Sequence, residues 1–330
     1  MSKIKNNIGW CDATGNPGIG CRGCELGDDC YAKFDTPARV LRAGRWPGHV
    51  GDKIETFGAG RLFVPTKTGL SDLRRLNKMC VCDQCHSPWP IEKMATDYCH
   101  APDGRGLCKG ELRRIRFFAD SNSDWMDWPI GTLVSALDEI RLAPNVDVIL
   151  LTKWPELFYE RMDMALNHVC QHYSKTDANL VDWIFEWTDS NLSRPNPWVP
   201  KNIWVLTSVL GNALDERRVA NVMNIPAAVR GLSCEPLWAF PKLPTRLGIS
   251  NIDWIIIGCD SSKHRRGWEA YETNVRSLIS IAKGAGIQVY HKQMSVAGRA
   301  SLKMAEWPPE FQVREFPTTK KSKIQPGGSR

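Results

Sequence analysis

The chain has 330 residues, 42% of them hydrophobic and 24% charged, with a net charge of +7. That length supports one large α/β domain or two modest ones, each with a sizeable core. No apolar run approaches a membrane span, and the opening "MSKIKNNIGW" lacks an apolar signal region, so the composition excludes a membrane protein and points to the cytoplasm.

In chain order, the first expected strand is "NNIGW" at 6–10. A loop with Cys21, Cys24 and Cys30 follows, then a helix, "TPARVLRAG". Residues 44–112 hold a second cysteine group: Cys80, Cys82, Cys85, Cys99 and Cys108. From 113 onward, short runs rich in Ile, Val and Phe alternate with helical stretches. The runs are "RIRFFAD" (114–120), "VDVILLT" (146–152), "IWVLTSV" (203–209), "AVRGLSC" (228–234), "DWIIIGC" (253–259) and "IQVYHKQ" (287–293). Nearly unbroken apolar strands suit a parallel sheet covered on both faces. Helices are expected in "GTLVSALDEIRL", "PELFYERMDMAL", "ALDERRVANVMN" and "ETNVRSLISIAKGAG". Repeated strand–helix units imply a parallel sheet, open or closed into a barrel. The expected organisation is 1–43 as the first strand, cysteine loop and helix; 44–112 as a metal-binding insert; 113–317 as the rest of the sheet, with a Trp-, Asn- and Pro-rich excursion at 167–201; and 318–330 as a basic tail. That tail, with Lys320, Lys321, Lys323 and Arg330, reads as solvated and disordered, or as loosely attracted to nucleic acid.

Parallel α/β sheets carry their chemistry at the C-terminal ends of the strands. Polar residues gather there: Asp120, Ser121, Asn122, Ser123 and Asp124; Thr152 and Lys153; Thr207 and Ser208; Ser233, Cys234 and Glu235; Asp260 and Ser261; Lys292 and Gln293. Singly each is a helix cap or loop residue, as Ser123 and Asp124 before "WPIGTLVSAL" suggest. Together they predict a polar pocket at one rim. Lys263, His264, Arg265 and Arg266 form a compact basic loop beside it, either solvated or a clamp for substrate phosphate through Lys263, Arg265 and Arg266. Trp183, Trp187 and Trp198 either pack the excursion or stack on bases.

Twelve cysteines are many for a reducing compartment, where clustered thiols hold metal more readily than they form disulfides. Cys82 and Cys85 have knuckle spacing, and Cys99 and Cys108 complete a four-thiolate set suited to structural zinc, with Cys80, His86 and His100 as substitutes. The first group, C-x2-C-x5-C, offers three close thiolates. Cys11 as a fourth would make it a second zinc site; without it, the set suits an iron–sulfur cluster with one iron left open.

A three-cysteine loop after the first strand resembles the radical S-adenosylmethionine enzymes. More narrowly, the ordered set "IGWCDATGNPGIGC", "CYA", "FFADSNSDW", "ILLTKWPEL", "IWVLTSV", "LSCEPL", "DWIIIG" and "VYHKQM" resembles an uncharacterised phage-encoded family with a radical-SAM-like barrel. The resemblance implies a partial (β/α) TIM-like barrel of the radical SAM type with a small zinc-binding insert. It also implies a 4Fe-4S cluster on Cys21, Cys24 and Cys30. The family pattern has Thr in place of Cys11 and a cysteine in place of Gly27, so the third ligand is Cys24 or Cys11; Cys24 is taken here. S-adenosylmethionine would be bound by Ser121, Asn122, Ser123 and Asp124 at its amino acid end and by Thr207 and Ser208 at its ribose or carboxylate. Cleavage would give a 5′-deoxyadenosyl radical, with Glu235, Lys292 and Gln293 contacting substrate or moving protons. The implied reaction is modification or rearrangement, such as isomerisation of a hypermodified pyrimidine in phage DNA. It would need an external electron donor and take place in the cytoplasm of an infected host. Two other readings stand beside it: a non-catalytic zinc-bearing nucleic-acid-binding protein, and a radical enzyme acting on a peptide or small metabolite.

Overall fold

In a computed structural model, the structure describes residues 8–19, 56–57, 61–62, 64–65, 70–94, 98–100, 108–121, 123–172, 178–189, 198–243, 251–262 and 264–317. The elements that position the site are, in chain order, β1 (Ala13–Thr14), α1 (Asp72–Leu76), β2 (Met79–Cys82), β3 (Pro88–Pro90), β4 (Leu112–Arg113) and β5 (Ile115–Phe118). They continue as α2 (Ile130–Arg141), β6 (Val146–Thr152), α3 (Phe158–His172), α4 (Ala178–Thr188), β7 (Ile203–Ser208) and α5 (Asp215–Val222). The last are β8 (Val229–Cys234), β9 (Trp254–Gly258), α6 (Tyr271–Gly284), β10 (Gln288–Val296) and β11 (Arg299–Ser301).

Eight strands form one sheet in the order β1-β5-β6-β7-β8-β9-β10-β11. All neighbours are parallel except β10 and β11, which form an antiparallel hairpin. The six apolar runs from 114 onward become β5 to β10, as their composition predicts. The helices cover one face. In α2 the buried positions Leu133, Val134, Ala136, Leu137 and Ile140 recur at helical spacing and make one stripe. The helix α4 falls inside the 167–201 stretch and packs as core through Leu180, Ile184 and Trp187. Trp187 lies parallel to Trp125, with ring centroids 6.4 Å apart, and donates its indole N–H to the Pro226 carbonyl at 2.6 Å.

The other face has its own apolar layer, to which no helical residue contributes among the described residues: Trp10, Cys11, Phe118, Ile149, Trp204, Leu206, Val229, Trp254, Ile256 and Tyr290. Register explains the selection. Phe118, Ile149, Trp204 and Val229 are successive partners across β5 to β8 and point to the same side. Gly231 stands between Leu206 and Trp254, where a Cβ would approach the Leu206 side chain and the Trp254 carbonyl to 3.0 Å, so glycine keeps that row open.

Two expectations are corrected. The expected partial TIM-like barrel of the radical SAM type is corrected to an eight-stranded, mostly parallel sheet curled as a half-barrel; a full TIM barrel is not formed among the described residues. Closure needs the outer strands to meet. Among the described residues β1 is two residues long and pairs only with β5. The outer edge of β10 is consumed by β11 and by the C-terminal segment, through His291 N–H to the Val313 carbonyl (2.8 Å) and Glu315 N–H to the Val289 carbonyl (2.8 Å). Among the described residues the first strand is Ala13–Thr14; of the run expected at 6–10, residues 8–10 are not strand and 6–7 lie outside the described residues. Gly9 sits at φ +89°, which no extended strand allows, and turns Trp10 into the second apolar layer.

Asp12 anchors this entry. It accepts two hydrogen bonds from the Arg113 guanidinium (2.7 and 2.9 Å) and one from the Arg116 N–H (2.8 Å). Burial works to raise its pKa, but the Arg113 hydrogen bonds and charge, with Arg116, hold it below the ordinary value. A depressed carboxylate pKa contributes stability that is present above the unfolded value and is lost as pH falls through the folded one. Asp12→Asn should therefore cost on the order of 3 kcal/mol in urea unfolding at neutral pH. The difference from the wild type should shrink as the medium is acidified below the range where free aspartate titrates. A constant difference across pH would show that the charge is not what matters.

Candidate functional site

Two places gather chemistry-bearing side chains. The first is the small three-stranded sheet β3-β2-β4 before the main sheet. Cys82, at the end of β2, opens a tight turn in which the backbone N–H groups of Gln84 and Cys85 both reach its sulfur at 3.4 Å. His86 leaves that turn at φ +56°. Cys99 and Cys108 arrive from the following segment, tied by Cys99 N–H to the Gly110 carbonyl (2.8 Å). A Cβ on Gly110 would stand 2.5 Å from the Cys82 sulfur, so only glycine lets the strands close here.

The sulfurs of Cys82, Cys85, Cys99 and Cys108 all lie within 4.8 Å of one another, with Cys82 to Cys108 and Cys85 to Cys99 at 3.6 Å. Tetrahedral thiolate coordination at a metal–sulfur distance of ~2.3 Å places sulfurs about 3.8 Å apart. The donor set therefore fits a metal ion. Burial pushes the Cys82 thiol up to about 12, whereas Ser87 hydrogen bonds, opposing burial, bring Cys85 down to about 6. A bound cation removes that inequality by holding every sulfur as thiolate. Cys80, one of the expected substitutes, is not in the group: its sulfur lies 3.4 Å from the Trp89 carbonyl and from the Met94 sulfur, and burial raises it to about 11.

The second place is the C-terminal end of the main sheet. The polar residues expected there fall into two sets according to their partners. One set is spent on backbone groups and loop contacts. Asp120 accepts from Leu151 N–H at 3.1 Å. Asp124 accepts from Met126 N–H (3.1 Å) and Lys153 N–H (2.8 Å), and burial raises its pKa. Thr207 donates to the Thr152 carbonyl at 2.8 Å, and Ser123 accepts from the Trp128 indole at 2.8 Å. These four, three of them expected at the cofactor, hold the loops in shape. Ser121 accepts from the Asn16 amide at 2.9 Å, joining the segment after β1 to the one after β5.

The other set converges. Glu235, just beyond β8, meets Lys292 of β10 at 2.9 Å. Its second oxygen accepts from the Trp10 indole at 3.1 Å and from Ser233 at 3.5 Å. Gly258 of β9 leaves the space between them: a Cβ there would meet Glu235 Oε1 at 3.2 Å and Gln293 at 3.3 Å. Gln293 donates its amide to the Cys259 carbonyl at 2.6 Å. Burial works to lower the Lys292 pKa, but the Glu235 charge and hydrogen bond raise it, so Lys292 is an ammonium at neutral pH. Cys11 lies close enough to add to that effect. Glu235 thus holds the Lys292 ammonium in place.

Of the remaining expected site residues, Ser208 is buried at the end of β7, and Arg265 and Arg266 lie on the exposed loop after β9. Cys21, Cys24, Cys30, Asn122 and Lys263 lie outside the described residues. Two features went unseen in the sequence. Trp10 reads there as a strand residue, and its role as donor to Glu235 spans 225 positions. The buried contact of Tyr271 with His291 (3.0 Å) and with the Gln293 carbonyl (2.8 Å), directly behind the site, has no local signal at all.

The model of a family described as "Protein of unknown function (DUF5131)" matches residues 5–316, and the chain belongs to that family. No curated protein and no solved structure matches the chain. No helix among the described residues is long and apolar enough to cross a membrane.

The four-sulfur site gives a direct prediction. The purified protein should carry about one divalent metal per chain at this site. Cys108→Ser should lose that metal and lower the thermal unfolding midpoint, and a strong chelator should reproduce the shift. A variant with wild-type metal content and midpoint would remove Cys108 from the ligand set.

Proposed function

We propose that this member of the family is a radical S-adenosylmethionine enzyme with a structural zinc site, and that it modifies a nucleic-acid base. The observation that carries the reading is the placement of the chain's entry. Strand β1 runs parallel to its neighbour, so the chain leaves it at the end of the sheet where Glu235 and Lys292 meet, and the C-x2-C-x5-C segment follows. Three thiolates at that spacing, Cys21, Cys24 and Cys30, suit a 4Fe-4S cluster with one open iron, with Cys11 the alternative to Cys24. Four thiolates at Cys82, Cys85, Cys99 and Cys108 suit zinc, which has no redox chemistry and needs a closed shell.

A 4Fe-4S cluster held by Cys21, Cys24 and Cys30 would, together with S-adenosylmethionine, supply the chemistry that takes a hydrogen atom from substrate. The chain's own residues position and exclude. Trp10 and Ser233 hold the Glu235 carboxylate, and Glu235 holds Lys292 as a cation. The ammonium then orients an electron-rich oxygen or an anionic group of the substrate. The aromatic layer of Trp10, Trp204, Trp254 and Tyr290 keeps water from the sheet below the site. Ser208 and Ser233 add hydroxyls at the same end.

Protein purified without oxygen should be brown and carry about four irons together with zinc. The triple variant Cys21→Ala/Cys24→Ala/Cys30→Ala should lose iron and keep zinc. Reduced wild type with S-adenosylmethionine should form 5′-deoxyadenosine. Zinc at both cysteine groups with no iron would end this reading and favour a non-catalytic metalloprotein.

A further inference from the structure

The loop after β9 is more constrained than a solvated basic turn requires. Asp260, buried, accepts the N–H groups of Ser262 (2.8 Å) and Arg266 (3.0 Å), and its carbonyl accepts the Trp268 indole at 2.8 Å. One residue thus fastens both ends of the turn. Gly267, at φ +77°, is pressed against the segment after β8: a Cβ there would stand 2.1 Å from the Trp238 carbonyl. Arg265 is itself left-handed, at φ +49°. Each arginine is backed by an indole, Arg265 over Trp268 and Arg266 over Trp238, both at 5.1 Å from the ring. Both arginines are exposed residues. The turn starts two residues beyond Gly258, the glycine that faces Glu235, and Trp238 is three residues beyond Glu235 itself.

An exposed guanidinium held over an indole face keeps the planar fork that can meet two oxygens of one phosphate. Two arginines adjacent in the sequence suit a ligand with repeated negative charge. We propose that Arg265 and Arg266 grip the phosphodiester backbone of a nucleic-acid strand and so bring one of its bases to the pair formed by Glu235 and Lys292. The chain's net charge of +7 favours the same polyanion. This deepens the reading above by naming a strand, rather than a free nucleotide, as the substrate.

The test is fluorescence anisotropy on the full chain with its metal, without S-adenosylmethionine or reductant, using labelled single-stranded DNA, duplex DNA and RNA of one sequence. Arg265→Ala/Arg266→Ala should weaken binding of the preferred strand roughly tenfold and make its salt dependence shallower by about one charge or more. Arg265→Lys, which keeps the charge and the fold but loses the fork, should bind between the two. A mononucleotide at equal phosphate concentration should not displace the strand. The proposal is overturned if the wild type binds no strand, if both arginine variants bind as the wild type does, if a Lys320→Glu/Lys321→Glu variant accounts for all the binding, or if the mononucleotide competes equally. Iron content is read separately: its absence would end the radical reading without touching this measurement, and loss of binding leaves iron content intact.

Discussion

A single buried carboxylate fixes the edge of the main sheet. Among the described residues no strand precedes Asp12, yet it takes three hydrogen bonds from Arg113 and Arg116, two of them as a fork from Arg113. That contact fixes the two residues before it. Cys11 and Trp10 are carried into the apolar layer on the helix-free face, and Trp10 reaches Glu235. It also fixes the two residues after it as β1, on the edge of the parallel sheet. The entry point of the cysteine segment, the second donor to Glu235 and the floor of the site all follow from one acid paired with two arginines.

The strand ends show how one polar inventory divides into scaffold and site. Asp120, Asp124 and Thr207 saturate backbone groups that would otherwise be buried without partners. Ser233, Glu235 and Lys292 meet one another. The difference between the sets is one of partners, backbone in the first and side chains in the second. A half-buried ion pair contributes little net stability once desolvation is counted. What the pair does do is hold the Lys292 cation in place beside the aromatic layer.

Much of the architecture was legible in the residues, for physical reasons. Strands β5 to β10 are covered on both faces, so their apolar runs are nearly continuous, and α2 and α6 show the expected periodicity. The four cysteines that could hold a metal stand out because cysteine spacing reports local turn geometry. What stayed hidden was non-local. The "NNIGW" run reads as extended, and at its described end Gly9 stands at positive φ, which breaks an extended path. The open sheet depends on residues 313–316 taking the edge of β10, which no propensity in that polar stretch announces. Glu235 and Lys292 were recognisable as strand-end polar residues; their pairing needed the register of three strands.

The helix-free aromatic layer also has a kinetic consequence. Its members come from both extremes of the described chain: Trp10 packs on Trp254 with ring centroids 6.1 Å apart, and Trp254 in turn packs on Phe316 at 5.7 Å. Contacts so distant in sequence form late, because a long loop must close before any of them is rewarded. During synthesis the earliest tryptophan therefore emerges long before its partners exist, and a sticky half-built sheet has to be shielded for that interval. The chain should mature slowly, and helper chaperones should matter more to its yield than its final stability suggests.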